Sequence, residues 1–154
     1  MLLFYLSMEA VQMKMSAEGL DKLKEWEGCV LHPYKDAAGL LTIGVGHLIQ
    51  PSETFGTITL DHALDILAND LIRFEEAVNK YVTVPLEQNQ FDALVSFAFN
   101  VGVGAFKSST LLKKLNVGFY ESIPDQMLRW TKAGGKKLDG LVTRRKNEIE
   151  LWNA

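Results

Sequence analysis

Between Gly56 and Pro85 the sequence contains neither glycine nor proline, and within that stretch Ala63, Leu64, Leu67, Leu71, Phe74 and Val78 recur at helical spacing. An unbroken apolar stripe of this length predicts one long helix. Thr59 can cap it, Asp61 falls in its first turn, and it can run to about Tyr81, because Pro85 forbids continuation. The chain on either side differs in character. Before it, Ser16 can cap a shorter helix with Glu18 at its second position, and Leu20, Leu23 and Trp26 form an apolar face until Gly28 offers a stop. Glu27 therefore stands at a helix end. From His32 to Val45 the pattern changes to Pro33, a turn signal at Asp36-Ala37-Ala38-Gly39, and β-branched residues interleaved with glycine, which predicts a small hairpin.

Beyond Pro85 the signals are helical: Gln88–Phe99, a break at Val101-Gly102-Val103-Gly104, Ser108–Leu115, Ile123–Trp130, a glycine break at Gly134-Gly135, and Leu141–Trp152. The expected class is α+β, with a small N-terminal β-hairpin lobe joined by a long helix to a helical C-terminal lobe. A chain of 154 residues is one ordinary domain, here residues 16–154 in two lobes. Residues 1–15 read as an N-terminal extension that need not belong to the core; an extra helical turn packed on the surface is the rival reading. The apolar run Met1–Leu6 is stopped by Ser7 and Glu9, far short of the ~18 residues of a membrane span. No cationic segment or small-residue cleavage site suggests a secretory signal.

Cys29 is the only cysteine, so no intrachain disulfide can form; it reads as a small buried filler, because no cysteine-hydrolase signature surrounds it and His32. The formal charge of −3 gives no reason to expect nucleic-acid binding. The charge is unevenly spread: residues 1–77 hold five basic against twelve acidic side chains, and residues 78–154 eleven against seven. That asymmetry is scatter in solvated faces or a positive C-terminal part facing an anionic polymer. No clustered metal ligands and no phosphate-cradling glycine loop are present, so neither metal nor nucleotide cofactor is expected.

Glu27, Asp36 and Thr42 stand in the spacing E-x8-D-x5-T. Singly, each is ordinary for its place: a solvated helix acid, a turn aspartate, a strand threonine. Their context runs from Glu27-Gly28 through Tyr34-Lys35-Asp36 to Thr42-Ile43-Gly44-Val45-Gly46-His47. With Pro85–Leu94, Phe99-Asn100-Val101-Gly102, Arg129-Trp130-Thr131 and Gly140–Arg145, it closely resembles the phage-type lysozymes, glycoside hydrolase family 24, over residues 16–154. Cleaving a glycosidic bond requires a carboxylic acid to protonate the bridging oxygen and an opposed carboxylate to manage the developing charge. Glu27 suits the acid if partly desolvated, and Asp36 the carboxylate in a wetter, hydrogen-bonded turn.

The resemblance implies that Thr42 helps hold a water with Asp36 as its base, an inverting reaction; retention would instead place the carboxyl groups ~5 Å apart. It also implies that His47 pairs with Asp70, which lies beside the apolar stripe of the long helix and as a half-buried acid needs a partner. Arg144 or Arg145, with Arg144 preferred, is implied to approach the catalytic glutamate; the alternative is a basic pair facing solvent or wall. Glycan contacts are implied at Leu48, Phe99, Asn100 and Ser109 or Thr110.

The expected activity is hydrolysis of the β-1,4 bond between N-acetylmuramic acid and N-acetylglucosamine in peptidoglycan. Synthesis in a bacterial host's cytoplasm, release by a separate holin-type membrane partner, action on the wall in the periplasm and a monomeric state follow from the resemblance. Two rivals differ in chemistry: a lytic transglycosylase, which Asp36 and Thr42 speak against, and a non-enzymatic wall-binding module acting through its basic C-terminal helices, whose action would collapse on neutralising Arg144, Arg145 and Lys146.

Overall fold

Local capping sets the first helix. In the computed structural model, which describes residues 12–154, the Ser16 hydroxyl accepts the Gly19 N–H at 3.0 Å and opens α1 (Ala17–Glu27). Gly28 closes it at φ +80°, a conformation that costs glycine little and any other residue more. The run Met1–Leu6 lies outside the described residues.

The chain then forms β1 (Val30–Lys35), β2 (Leu41–Gly44) and β3 (His47–Leu48), an antiparallel sheet in that order. The expected hairpin thus gains a third, very short strand. Tyr34 pairs with Thr42 and Val30 with Gly44, so Leu31, His32 and Pro33 of β1 oppose Ile43 alone. Pro33 has no N–H to give the ladder, and the surplus residues make a bulge, which bends a strand and increases its twist. Ile43, Ile58 and Ala63 form the centre of a small core against which Cys29, Leu31, Ile49, Phe55 and Ile66 pack. Cys29 is only partly buried rather than the enclosed filler expected.

The long helix, α2 (Leu60–Tyr81), begins where Thr59 Oγ1 accepts the His62 N–H at 3.1 Å. Ala63, Leu67, Leu71, Phe74 and Val78 are buried, Leu64 is half-buried, and Asp61, Asp65 and Arg73 are exposed. The described chain divides into two compact units, one of Ser16–Phe74 and the other of Glu75–Ala154 with the residues preceding Ser16.

In the second unit α3 (Gln88–Val101) starts with Glu87 donating its N–H to Gln90 Oε1 at 2.8 Å and buries Phe91 through Ala98. It is followed by α4 (Val103–Ser108), α5 (Thr110–Asn116), a 3₁₀ turn at Tyr120–Ser122, α6 (Ile123–Met127), β4 (Lys132–Ala133), β5 (Lys136–Lys137) and α7 (Asp139–Trp152). Two expectations change here. The helix read over Ser108–Leu115 is two helices meeting at Ser109, whose hydroxyl caps the second by accepting the Leu112 N–H. The Gly134-Gly135 break is the turn of a hairpin, with both glycines at positive φ as a two-residue type I′ connection requires.

The boundary of the fold also moves. Met13 and Asn79 exchange two hydrogen bonds, of 3.0 and 2.9 Å, and Gln88 Nε2 donates to the Lys14 carbonyl. The Met15 N–H donates to Glu75 Oε2 at 2.7 Å, and Met15 is itself buried. Residues 13–15, assigned above to the extension, are therefore strapped into this unit. Both units mix helices with short antiparallel strands, as the α+β reading expects, and no described helix is long and apolar enough to cross a membrane.

Candidate active site

Glu27, Asp36 and Thr42 fall in the same compact unit. Glu27 is the last residue of α1 and is exposed. Asp36 follows the last residue of β1 and organises the turn. Its Oδ1 accepts the N–H groups of Ala38 and Leu40, each at 2.9 Å, while its backbone N–H donates to the Leu40 carbonyl and its carbonyl accepts from Gly39. Both side-chain bonds fall on one oxygen, so Oδ2 is the atom that can address a water. Thr42 is buried in β2, opposite both Tyr34 and the exposed Leu48. Its hydroxyl donates to the Leu40 carbonyl at 3.0 Å, so toward any further partner its oxygen can only accept.

His47 is held from both sides. Nδ1 lies 2.8 Å from Asp70 Oδ2 and Nε2 2.9 Å from Glu53 Oε1, with Phe55 against the ring edge-on at 6.0 Å. Burial alone would lower the imidazole pKa, but the hydrogen bonds and charges of Glu53 and Asp70 outweigh it and raise it above its ordinary value. Glu53 moves the opposite way: the Gln50 N–H on its Oε1, reinforced by His47, holds its carboxyl below the usual range. Glu53 was missed at the sequence level, because only the turn at residues 50–53 brings it back to the ring.

The remaining expected residues lie in the other unit. Phe99 is half-buried and Asn100 exposed near the end of α3, and Thr110 is exposed at the start of α5. Ser109 is buried and its hydroxyl is committed to the helix junction, donating to the Phe106 carbonyl at 2.7 Å and accepting from Leu112. Of the two alternatives offered for the glycan, Thr110 has the open side chain.

Arg144 and Arg145 are not a solvated basic pair. Both are buried around Glu148, which is itself fully buried. Glu148 Oε2 accepts Arg144 Nε at 3.0 Å and the Ser96 hydroxyl at 2.6 Å, and Oε1 accepts an Arg145 guanidinium N–H. Arg144 also reaches the Ser96 carbonyl, and Arg145 donates to the Trp130 carbonyl at 2.9 Å and to Asn100 Oδ1. Desolvation lowers the Arg145 pKa, opposed by Glu148 and aided by Arg144. Of the three cations named for a wall-binding module only Lys146 is exposed, so Arg144 and Arg145 are not part of a solvated basic surface. Glu148 and Ser96 were overlooked because an acid three and four residues from two arginines reads as a surface ion pair.

Residues 24–148 match the phage lysozyme family. The chain belongs to the phage lysozyme family. It is 44% identical over 144 residues to an endolysin of Bacillus phage PZA, covering 92% of this chain and 56% of that protein, so it spans about half the length of that relative. Among solved structures, a variant of phage P22 lysozyme shares 40% identity with a TM-score of 0.85, over 92% of this chain and 99% of the other. A muramidase domain from Asticaccaulis excentricus shares 37% with a TM-score of 0.81, over 92% and 98%. The α+β fold is therefore that of the lysozyme family, and the family match encloses Glu27, Asp36, Thr42, His47 and the buried arginine pair.

Proposed function

We propose that this phage lysozyme family member hydrolyses the β-1,4 bond between N-acetylmuramic acid and N-acetylglucosamine in peptidoglycan. One observation carries the reading. The acid, carboxylate and threonine of the family motif share one unit, with Asp36 fixed in its turn through Oδ1 alone. Glu27 gives its proton to the bridging oxygen as the bond to C1 breaks. A water bonds to C1 from the opposite face and yields a proton to Asp36 Oδ2. Thr42, whose own proton is engaged with Leu40, accepts the water's other hydrogen in a hydrogen bond and fixes its orientation. The configuration at C1 inverts, which requires the carboxyl groups to stand ~6.5–9.5 Å apart. Glu27 is exposed without substrate, so the glycan itself displaces the surrounding water on binding. Leu48, Phe99, Asn100 and Thr110 supply contacts to the sugars, and His47 with Asp70 and Glu53 holds β3 against α2. The protein acts as a monomer on the wall from the periplasmic side, after release from the host cytoplasm by a separate holin-type membrane partner.

Glu27→Gln is expected to fold normally and to lose essentially all turnover on outer-membrane-stripped cells. Wild-type lysis by that variant sinks the assignment. Run in oxygen-labelled water, the reaction is expected to release muropeptides with labelled reducing ends; anhydro ends would make it a transglycosylase.

A further inference from the structure

The cations of the C-terminal half are not alike in their surroundings. Arg144 and Arg145 are sealed around Glu148, and the ammonium groups of Lys80 and Lys107 lie 5.4 and 5.3 Å from the Tyr81 ring centre. Arg129, Lys132, Lys136 and Lys137 have no such partner: residues 126–138 contain no acidic side chain, and among the described residues none of these four cations is in an ion pair. Three of them stand on the β4–β5 hairpin, where Lys132 pairs directly with Lys137 and Ala133 with Lys136. Directly opposed residues share a face, so two ammonium groups are set side by side, and like charges in that register destabilise a hairpin. Strands of two residues add little stability of their own. The hairpin is held instead at its root, where the Leu138 N–H donates to the carbonyl of the buried Thr131 at 2.9 Å. Residues 132–140 are all exposed. The fold thus keeps repelling cations together on open surface with no anion of its own, a cost that a bound polyanion reverses.

We propose that the β4–β5 hairpin, together with Arg129, is an attachment site for a phosphodiester-linked polyanion of the bacterial envelope. Three of the four cations are lysines, which meet phosphate as point charges, whereas carboxylates favour the planar fork of arginine. The tip is Ala133-Gly134-Gly135, with no large apolar side chain to enter a bilayer and no aromatic ring to stack on a base, so the ligand is a soluble polymer and neither a membrane nor a nucleic acid. That the polymer is met in the cell envelope rests on the peptidoglycan reading; the binding itself does not, and it is measured without any hydrolysis.

Calorimetric titration of the full chain with purified poly(glycerol phosphate) tests this. The affinity is expected to fall more than about tenfold between ~50 and ~200 mM salt, as three or more phosphates are neutralised. Lys137→Glu separates a binding role from a structural one, because the two move in opposite directions. It turns a repelling cross-strand pair into an attracting one, so the thermal midpoint is expected to stay or rise, while the polymer is held about tenfold or more weakly. Lys132→Gln combined with Lys137→Gln, which removes charge without adding an acid, is expected to weaken binding in the same sense. Wild-type affinity in either variant overturns the proposal. So does equal or tighter binding of poly-γ-glutamate, which reduces the hairpin to unselective charge, or of single-stranded DNA or phosphatidylglycerol vesicles, which gives it another ligand. Glu27→Gln is expected to bind the polymer as wild type does. Failure of the hydrolase reading appears elsewhere, as lysis that survives Glu27→Gln, so the two are distinguishable.

Discussion

The His47 ring and the Glu148 carboxylate are each gripped by two charged partners, yet their surroundings differ. Around His47 the side chains of Glu53 and Asp70 keep 31% and 25% of their surface, whereas Glu148 keeps none and its arginines 8% and 1%. A charge sealed from water depends on its partners completely, since nothing replaces them; a charge that still meets solvent loses less when one is removed. The molecule therefore contains one polar cluster that tolerates substitution and responds to pH, and one that does not forgive a missing member.

The contrast is broken or sharpened most strongly by Glu148→Ala. It leaves two buried guanidinium groups without their anion and is expected to cost about 3–5 kcal/mol in urea unfolding at neutral pH. A loss below about 1 kcal/mol would mean that water reaches the arginines and that the two clusters are alike. Next is Asp70→Asn, expected to cost on the order of 1 kcal/mol at mildly acidic pH. The raised His47 pKa means that its contribution is full below the ordinary 6.5 and fades as pH rises through the folded value. Glu53, with its lowered pKa, contributes above 4.5 and fades as pH falls through its own folded value. The cost of Asp70→Asn is thus expected to shrink as pH rises through the folded His47 value, and a pH-independent cost would assign the contact to a neutral ring. Smallest is the effect of salt: at about 0.5 M the His47 titration midpoint, followed by NMR, is expected to slip back toward its ordinary value. A midpoint indifferent to salt would show the web to be as sealed as the arginine cluster.

Legibility followed the range of the signals. Ser16, Gly28, Thr59 and Pro85 act on their own neighbours, so α1 and α2 could be bounded from the sequence. Asp36 was equally local, since an Asx turn needs only the next four residues. The hairpin at Gly134-Gly135 was read as a mere break because strands of two residues carry no alternation. The cap at Ser109 is local too, but it is masked in the sequence because the helical pattern continues through it. Glu148 lay beyond local reading altogether: its surroundings depend on Ser96, which reaches it across 52 positions of sequence, and α7 gives no sign that its charged face points inward. Glu53 depended on a turn that no periodicity marks.

The clasp on Met13–Met15 bears on how small this protein can be made. Glu75 is nearly buried and takes its donor from the Met15 backbone, so a version trimmed to begin at the first helix would strand an acid inside the molecule. A version that retains Met13–Met15 keeps that donor, although all three residues lie ahead of the stretch that matches the family.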